Sequence, residues 1–454
     1  MNIIKNWGKH AAAVMIFAAL VCVYFAPAVF DGKVLFQSDM VFAEGMGDSQ
    51  MKQYEETAAP GEFSVWSDTM FGGMPYISGY GNPAPDLPGF DVLEKPVKGA
   101  GYLYAGMVLA GLISFYILMC VLGVNWWLAL AGAIGFAFAS YNFIIIMVGH
   151  VTKAYVIAYM PLTLAGMALL FKRKYLWGGV LFLLGVALSI NNFHIQITYY
   201  LAILCAFIYL GYLIEKIRRK EIKELGIVSA VMAFALVLAV LPNARLLYVQ
   251  WDWGKSSIRG ATELTATTPG GEKVSSGLDK DYAFQWSYGK AELLTLLIPN
   301  VYGGGSGGTL DGSSAYAKSL RDNGYQAGKS VQAPTYWGDK SFTQGPVYFG
   351  AGICFLFILG MFVIRNRMKA WIFAGTVFLI FMALGRNMDW FNDFLFHYLP
   401  MYNKFRTVET ALVIPGMVFP LIGFWGLKEI LTGKVAPEVL RKGFITALAV
   451  CGGL

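Results

Sequence analysis

Apolar runs of fifteen to twenty-five residues, separated by short polar turns that are often basic, recur along most of this chain. A helix needs about 20 predominantly apolar residues to cross the hydrocarbon layer. On that measure the pattern predicts membrane spans at Ala11–Phe30, Ala100–Val124, Trp126–Val148, Ala154–Phe171 and Leu176–Ile190. Further spans are expected at Ile195–Ile214, Ile227–Leu247, Val347–Ile364, Ala370–Leu384 and Ala411–Leu427. An eleventh run starts at Phe444 and is cut at Leu454, about half the length a crossing needs. The chain is therefore expected to be part of something longer. Its first apolar run exceeds the roughly 7–15 residues of a signal-peptide core, so it reads as an anchor. The fold class is an all-α polytopic membrane protein, a bundle of about eleven transmembrane helices.

The polar intervals divide into two kinds. Lys172-Arg-Lys174, Lys216–Lys223, Arg365–Lys369 and Lys428–Lys442 are short and basic. Basic residues mark cytoplasmic loops, which places these turns and the N-terminus (Lys5, Lys9) inside. Two long intervals then face the other way, 31–99 and 248–346, flanking helices in 1–30, 100–247 and 347–454. The first carries eleven acids against four bases, and the second nine of each. Inner loops this short leave no room for a nucleotide-driven domain. Chemistry is expected at the outer face of the membrane.

Composition agrees. Hydrophobic residues make up 57% and charged residues 14%, against about 25% charged in soluble domains. This excludes both an ordinary soluble protein and a disordered one. The net charge of +7 is accounted for by orientation and gives no reason to expect nucleic acid. Cys22, Cys120, Cys205, Cys354 and Cys451 all lie in apolar runs, unlike a disulfide framework or zinc site.

Two glycine-rich stretches carry little chemistry. Asn323-Gly-Tyr-Gln-Ala-Gly-Lys-Ser330 has three residues between its glycines where a phosphate-binding loop needs four. Gly303–Gly308 reads as a flexible turn. Asp39 is more informative, because it lies nine residues past the first span and so close to the headgroup plane. A carboxylate there can act as general base toward a hydroxyl if partial desolvation raises its pKa. Glu44 and Asp48 are alternative acids. At the ends of other spans on this side stand His150, Lys153, His194, Arg245, His397 and Arg406, with Gln196 beside His194. Cations at this depth suit a phosphate, although interfacial anchoring and helix capping call for the same residue types. Trp66, Gln196, Trp286, Tyr288 and Glu292 are candidate substrate contacts, aromatic faces packing well on sugar rings. Histidine spacing gives no metal motif.

Taken in order, Trp66-x-x-x-Met-Phe-Gly-Gly-Met-Pro75, Gly149-His-x-x-Lys153, His194-Ile-Gln196, Trp286-Ser-Tyr-Gly-Lys-x-Glu292, Leu-Ile-Pro-Asn300 and Phe405-Arg406 resemble the bacterial YfhO family of membrane proteins, in particular its Bacteroidetes branch. The resemblance implies the GT-C superfamily of integral-membrane glycosyltransferases, with a polyprenyl-phosphate-linked sugar as donor. It implies an acceptor on the outer side: an envelope glycan, lipid or polymer. GT-C enzymes carry an essential acid in the first outer loop, and Asp39 occupies the matching position. The leaving polyprenyl phosphate would be neutralised by His150, Lys153, His194, Arg245 and Arg406. No cofactor is implied, and Mg²⁺ held by Asp39, Glu44 and Asp48 stays open. The rival readings are a transporter or flippase of a lipid-linked glycan and a non-catalytic envelope-assembly protein. The expected spans hold almost no charge at their centres, which favours the transferase over a transporter.

Overall fold

Hydrocarbon offers backbone amides no water, so a crossing segment must close its own hydrogen bonds as a helix. The computed structural model describes residues 7–43, 45, 52, 56–57, 59, 66–67, 72–75, 103–260 and 277–453, and in it the apolar runs are helices. They are α1 (Trp7–Tyr24), α2 (Leu103–Val121), α3 (Trp126–Ala137), α4 (Ser140–Val148), α5 (Val151–Phe171), α6 (Tyr175–Asn191), α7 (Ile195–Arg218) and α8 (Ile222–Val240). There follow α9 (Ala244–Lys255), α10 (Ala351–Val363), α11 (Met368–Ala383), α12 (Asp389–Tyr398), α13 (Val413–Leu431) and α14 (Pro437–Gly452). Among the described residues strand is confined to two short antiparallel ribbons, Trp66–Ser67 with Met74–Pro75 and Gly308–Asp311 with Ser330–Ala333. The chain is an all-α polytopic protein. Among the described residues six helices are long and apolar enough to span a membrane, or up to eight if two bent pairs each count as one.

Those bent pairs depart from the expected spans. Trp126–Val148 breaks between α3 and α4 with a 47° bend. There the side chain of Asn142 donates to the carbonyls of Phe136 and Ala137, groups that a continuous helix would have bonded to its own amides. The segment following Ala370–Leu384 turns through 118° into α12. Beyond α8 the helix resumes as α9, carrying regular structure to Lys255, past the expected start of the long loop at Tyr248. Gly303–Gly308, expected to be a flexible turn, is instead pinned: Gly303 bridges to Tyr336 and Ser306 N–H donates to Thr343 O at 2.7 Å. Asn323–Ser330 links a helix to a following strand. That order is the reverse of a phosphate-binding loop.

Helices that are apolar all round gain little from hydrophobic sequestration in lipid, so they associate through close packing of small residues. Between α5 and α6, a Cβ on Gly166 would fall 2.3 Å from Phe182 N, and one on Gly185 2.4 Å from Thr163 N. Between α10 and α13, a Cβ on Gly426 would meet Gly360 Cα at 2.6 Å. The turns joining α5 to α8 are tight, and each places a non-glycine residue in the left-handed region: Arg173, Phe193 and Lys220.

The two ends of the bundle differ in chemistry. At one, Lys172 Nζ donates to Val121 O at 2.5 Å and Lys428 Nζ to Leu122 O at 2.9 Å. Beside them Lys216 lies 2.5 Å from Glu221 and 2.7 Å from Glu224, which Arg173 also binds. The basic turns grouped on one side by their charge are thus gathered at one end. The other end holds His150, His194 and Arg406.

Glycine packing predicts a specific contrast. Gly185→Ala must push α5 and α6 apart, an overpacking cost of about 1–3 kcal/mol. Gly226, on α8, has nothing within 4 Å of an added Cβ, so Gly226→Ala is expected to leave thermal stability in detergent unchanged or slightly higher. Equal melting temperatures for the two variants would refute the close-packing account.

Candidate functional site

The site is assembled from segments far apart in sequence. Met40 and Gln37, in and beside the short helix Ser38–Ala43, pack on Gly149 at the end of α4. Gly149 has φ +100°, and a Cβ there would lie 2.8 Å from Met40 Cγ. Glycine is required twice over, for the turn and for the approach. Gln37 Nε2 donates to Ile146 O at 2.5 Å, fixing the first-loop segment to α4. This brings Asp39 Oδ2 to 2.8 Å from His150 Nε2, with the two side chains 51% and 35% exposed. Burial, and then the Lys153 ammonium, lower the His150 pKa, against the pull of Asp39.

Arg406 reaches the same neighbourhood on the segment 399–407. Gln196, in the first turn of α7, donates to Arg406 O at 2.7 Å and to Tyr200 OH at 2.9 Å. Tyr199 OH donates to Pro400 O at 2.8 Å. Met401 and Thr407, which bracket this segment, have φ of 69° and 58°, a costly region for a β-branched threonine. The side-chain clamps of Gln196 and Tyr199 hold that conformation. The Arg406 guanidinium binds Tyr282 OH and lies 5.4 Å from the Tyr282 ring centre and 5.7 Å from that of Trp286. Lys153 and Arg406 are close enough to shift His150, and Arg406 holds the Arg259 pKa below its usual value after burial has done so.

His194 plays a different part. Its Nδ1 accepts weakly from Ile197 N–H at 3.4 Å as the cap of α7. Burial first, then Lys153 and His150, push its pKa down to about 3, so the ring stays neutral.

Behind this face, the side chain of Lys340 is only 1% exposed, and its ammonium lies 3.2 Å from both Glu292 Oε1 and Glu409 Oε2. Tyr336 OH and Gly289 N–H also donate to Glu292, each at 3.1 Å. The Lys340 ammonium sits 4.6 Å from the Tyr288 ring centre, and Tyr288 OH pairs with Thr295 Oγ1 at 2.5 Å. Tyr288 and Glu292, expected as substrate contacts, are thus committed to a buried network that fastens the long loop to the start of α13.

The structure brings together Asp39, His150, Lys153, His194, Gln196, Trp286 and Arg406. Arg245 sits exposed in the first turn of α9, and no ion pair joins it to this group among the described residues. Trp66 is half exposed in its own ribbon, its indole against Gly73. Glu44 and Asp48 lie outside the described residues. Among the described residues no three metal-ligating side chains come together. Sequence reading missed Arg259, whose Nε donates to Lys404 O at 3.0 Å while Lys404 Nζ donates to Arg259 O at 2.6 Å. It also missed Tyr282, Lys340 and Glu409. Nothing local marks these four, since their partners lie far from them in the sequence. Comparison with known proteins gives no match to any protein-family model, curated protein or solved structure.

Two outcomes follow from this geometry. Lys340→Met leaves two carboxylates facing each other without a cation, at a cost of about 3–5 kcal/mol. Adding Glu292→Gln is expected to recover part of that loss; strictly additive effects in a double-mutant cycle would exclude the coupling. The neutral folded form of His194 contributes stability fully above its unfolded pKa of 6.5, and this is lost as pH falls from 6.5 toward 3. His194→Gln should therefore flatten the decline of melting temperature across that window. A decline as steep as in the parent protein would show that other groups carry it.

Proposed function

We propose that this chain is a membrane-embedded glycosyltransferase that moves a sugar from a polyprenyl-phosphate donor to a hydroxyl acceptor on the extracytoplasmic side. The observation that carries the reading is the meeting of Asp39 and His150 beside the cations Lys153, Arg406 and Arg259 at one end of an apolar helical bundle. A general base next to an anion-binding group, at headgroup depth, is what attack on a lipid-linked phosphosugar requires. The resemblance to the YfhO family and the GT-C superfamily points the same way. With it come the finer expectations: about eleven spans, two large outer loops and a bacterial inner membrane with the N-terminus in the cytoplasm.

In this mechanism the acceptor oxygen attacks the anomeric carbon as the bond from that carbon to the phosphate oxygen breaks. Asp39 accepts the hydroxyl proton. His150, paired with Asp39 Oδ2 at 2.8 Å, orients the carboxylate, and the acceptor hydroxyl meets Oδ1, which the structure holds only through a weak 3.4 Å bond from Ser38 Oγ. The polyprenyl phosphate leaves with both bonding electrons, and Arg406, Lys153 and Arg259 neutralise the charge that develops on it. A well-placed donor of this kind contributes about 3–4 kcal/mol to the transition state. Gln196 acts as a positioning residue through the Arg406 and Thr407 backbone. Trp286 and Tyr282 offer ring faces beside the guanidinium for a sugar.

One observation favours the transport reading: the broken helix pairs α3–α4 and α11–α12, a feature of substrate pathways in transporters. Transfer of radiolabelled hexose from polyprenyl phosphate in membranes separates the two. Asp39→Asn is expected to abolish transfer while leaving the melting temperature unchanged, and Arg406→Gln to lower kcat by about 100-fold. Full transfer by Asp39→Asn refutes the assigned base. Movement of labelled lipid across the bilayer without transfer would replace the proposal with the flippase.

A further inference from the structure

A cavity of about 580 Å³ lies at the end of the bundle opposite Asp39, between α2, α5, α7, α11 and α13. Its volume falls within the roughly 300–1,000 Å³ typical of ligand sites. The walls are apolar and buried, formed by Leu118, Leu164, Ile208, Ile372, Leu421 and Trp425. Its rim is cationic: Lys172, Lys216, Arg219, Arg365 and Lys428 line it, against the acids Glu215 and Glu429. Two of these cations are already engaged by carboxylates. Lys216 binds Glu221 and Glu224, and Arg219 binds Glu215 at 2.7 Å.

Lys172 and Lys428 differ. Each ammonium caps a carbonyl at the end of α2, on adjacent residues Val121 and Leu122. Lys428 has a carboxylate only at 3.8 Å, in Glu429, and Lys172 has none in an ion pair among the described residues. Burial and the neighbouring Lys428 charge hold the Lys172 pKa below the usual lysine range. The two cations repel across the mouth of an apolar chamber. An anion between them relieves that repulsion, and an attached hydrocarbon chain fills the space behind it.

We propose that this cavity binds an anionic phospholipid, its phosphate between Lys172 and Lys428 and one acyl chain lying along Leu164 and Ile208. The site is separate from the Asp39 face and does not depend on the activity assigned there. Basic pockets between spans are a general means of holding anionic headgroups, and the apolar walls favour a lipid over free phosphate.

The test uses the full chain in a neutral detergent, stripped of lipid, with binding followed by native mass spectrometry and thermal shift. Phosphatidylglycerol, phosphatidylcholine and inorganic phosphate are added separately. Phosphatidylglycerol should be retained and should raise the melting temperature, while phosphatidylcholine is expected to do neither. Lys172→Gln with Lys428→Gln should weaken retention by roughly 10- to 100-fold, and Lys172→Arg with Lys428→Arg should restore it. Leu164→Trp keeps both charges and fills the chamber, so it should also lower retention, which guards against a charge variant that folds poorly. Equal binding of phosphatidylcholine, or parent-like retention by both the glutamine pair and Leu164→Trp, overturns the proposal. So does competition by inorganic phosphate at equal concentration, which would make the occupant a free anion.

Discussion

A single ammonium, Lys340, ties the polar half of this protein to its apolar half. It is contributed by the long loop between α9 and α10, it is almost wholly buried, and its partners are Glu292 of the same loop and Glu409 at the threshold of α13. Charges this deep cost several kcal/mol each to desolvate and persist only when paired and hydrogen-bonded. Tyr336, Gly289 and the Tyr288 ring complete that arrangement. The consequence reaches the site directly, because Arg406 stands three residues before Glu409 and Trp286 O accepts from Glu409 N–H. With the triad in place, Trp286, Arg406 and Tyr282 have fixed positions relative to one another. Without it Glu292 and Glu409 would face each other uncompensated at this junction, which backbone bonds such as Tyr288 N–H to Ala383 O would then have to hold.

Much of the architecture was legible in the sequence because hydrocarbon imposes so few solutions. Length and apolarity of a run suffice to name a helix, and the basic turns sorted the helix ends correctly: Lys172, Lys216 and Lys428 do gather together. Asp39, His150, Lys153 and Arg406 stand near span ends in the sequence, and the fold brings them into one neighbourhood. What escaped was anything that depends on which helix touches which. A helix apolar on every face has no stripe to say which side turns inward, so the pairing of α10 with α13, and the faces that α5 and α6 turn to each other, were invisible. The same holds for the contact between Asp39 and His150, 111 positions apart.

The misreadings have a common cause. Glycine-rich Gly303–Gly308 has the composition of a free turn, yet its backbone is paired to Tyr336 and Thr343. Glu292 and Tyr288 have the composition of a binding face, yet they are buried by partners from elsewhere. The break between α3 and α4 falls within a largely apolar run and is marked by Ser140, whose hydroxyl bonds Pro346 O and Tyr348 N–H, and by the side chain of Asn142. Composition reports the average environment of a segment, and each of these cases turns on one long-range contact.

The turns between α5 and α8 bear on how the protein is made. Each is only a few residues long and closes through a left-handed residue, Arg173, Phe193 or Lys220. Once α5 has entered the bilayer, α6 has nowhere to go but back beside it, and the glycine contacts at Gly166 and Gly185 form as soon as the hairpin does. Basic Lys172-Arg-Lys174 at the first of these turns resists passage across the membrane. The α5–α6 hairpin therefore rests on contacts local in sequence and does not need α10 to α13 to pack against it. The face that collects Asp39, His150 and Arg406 is completed last, when the segment bearing Arg406 arrives.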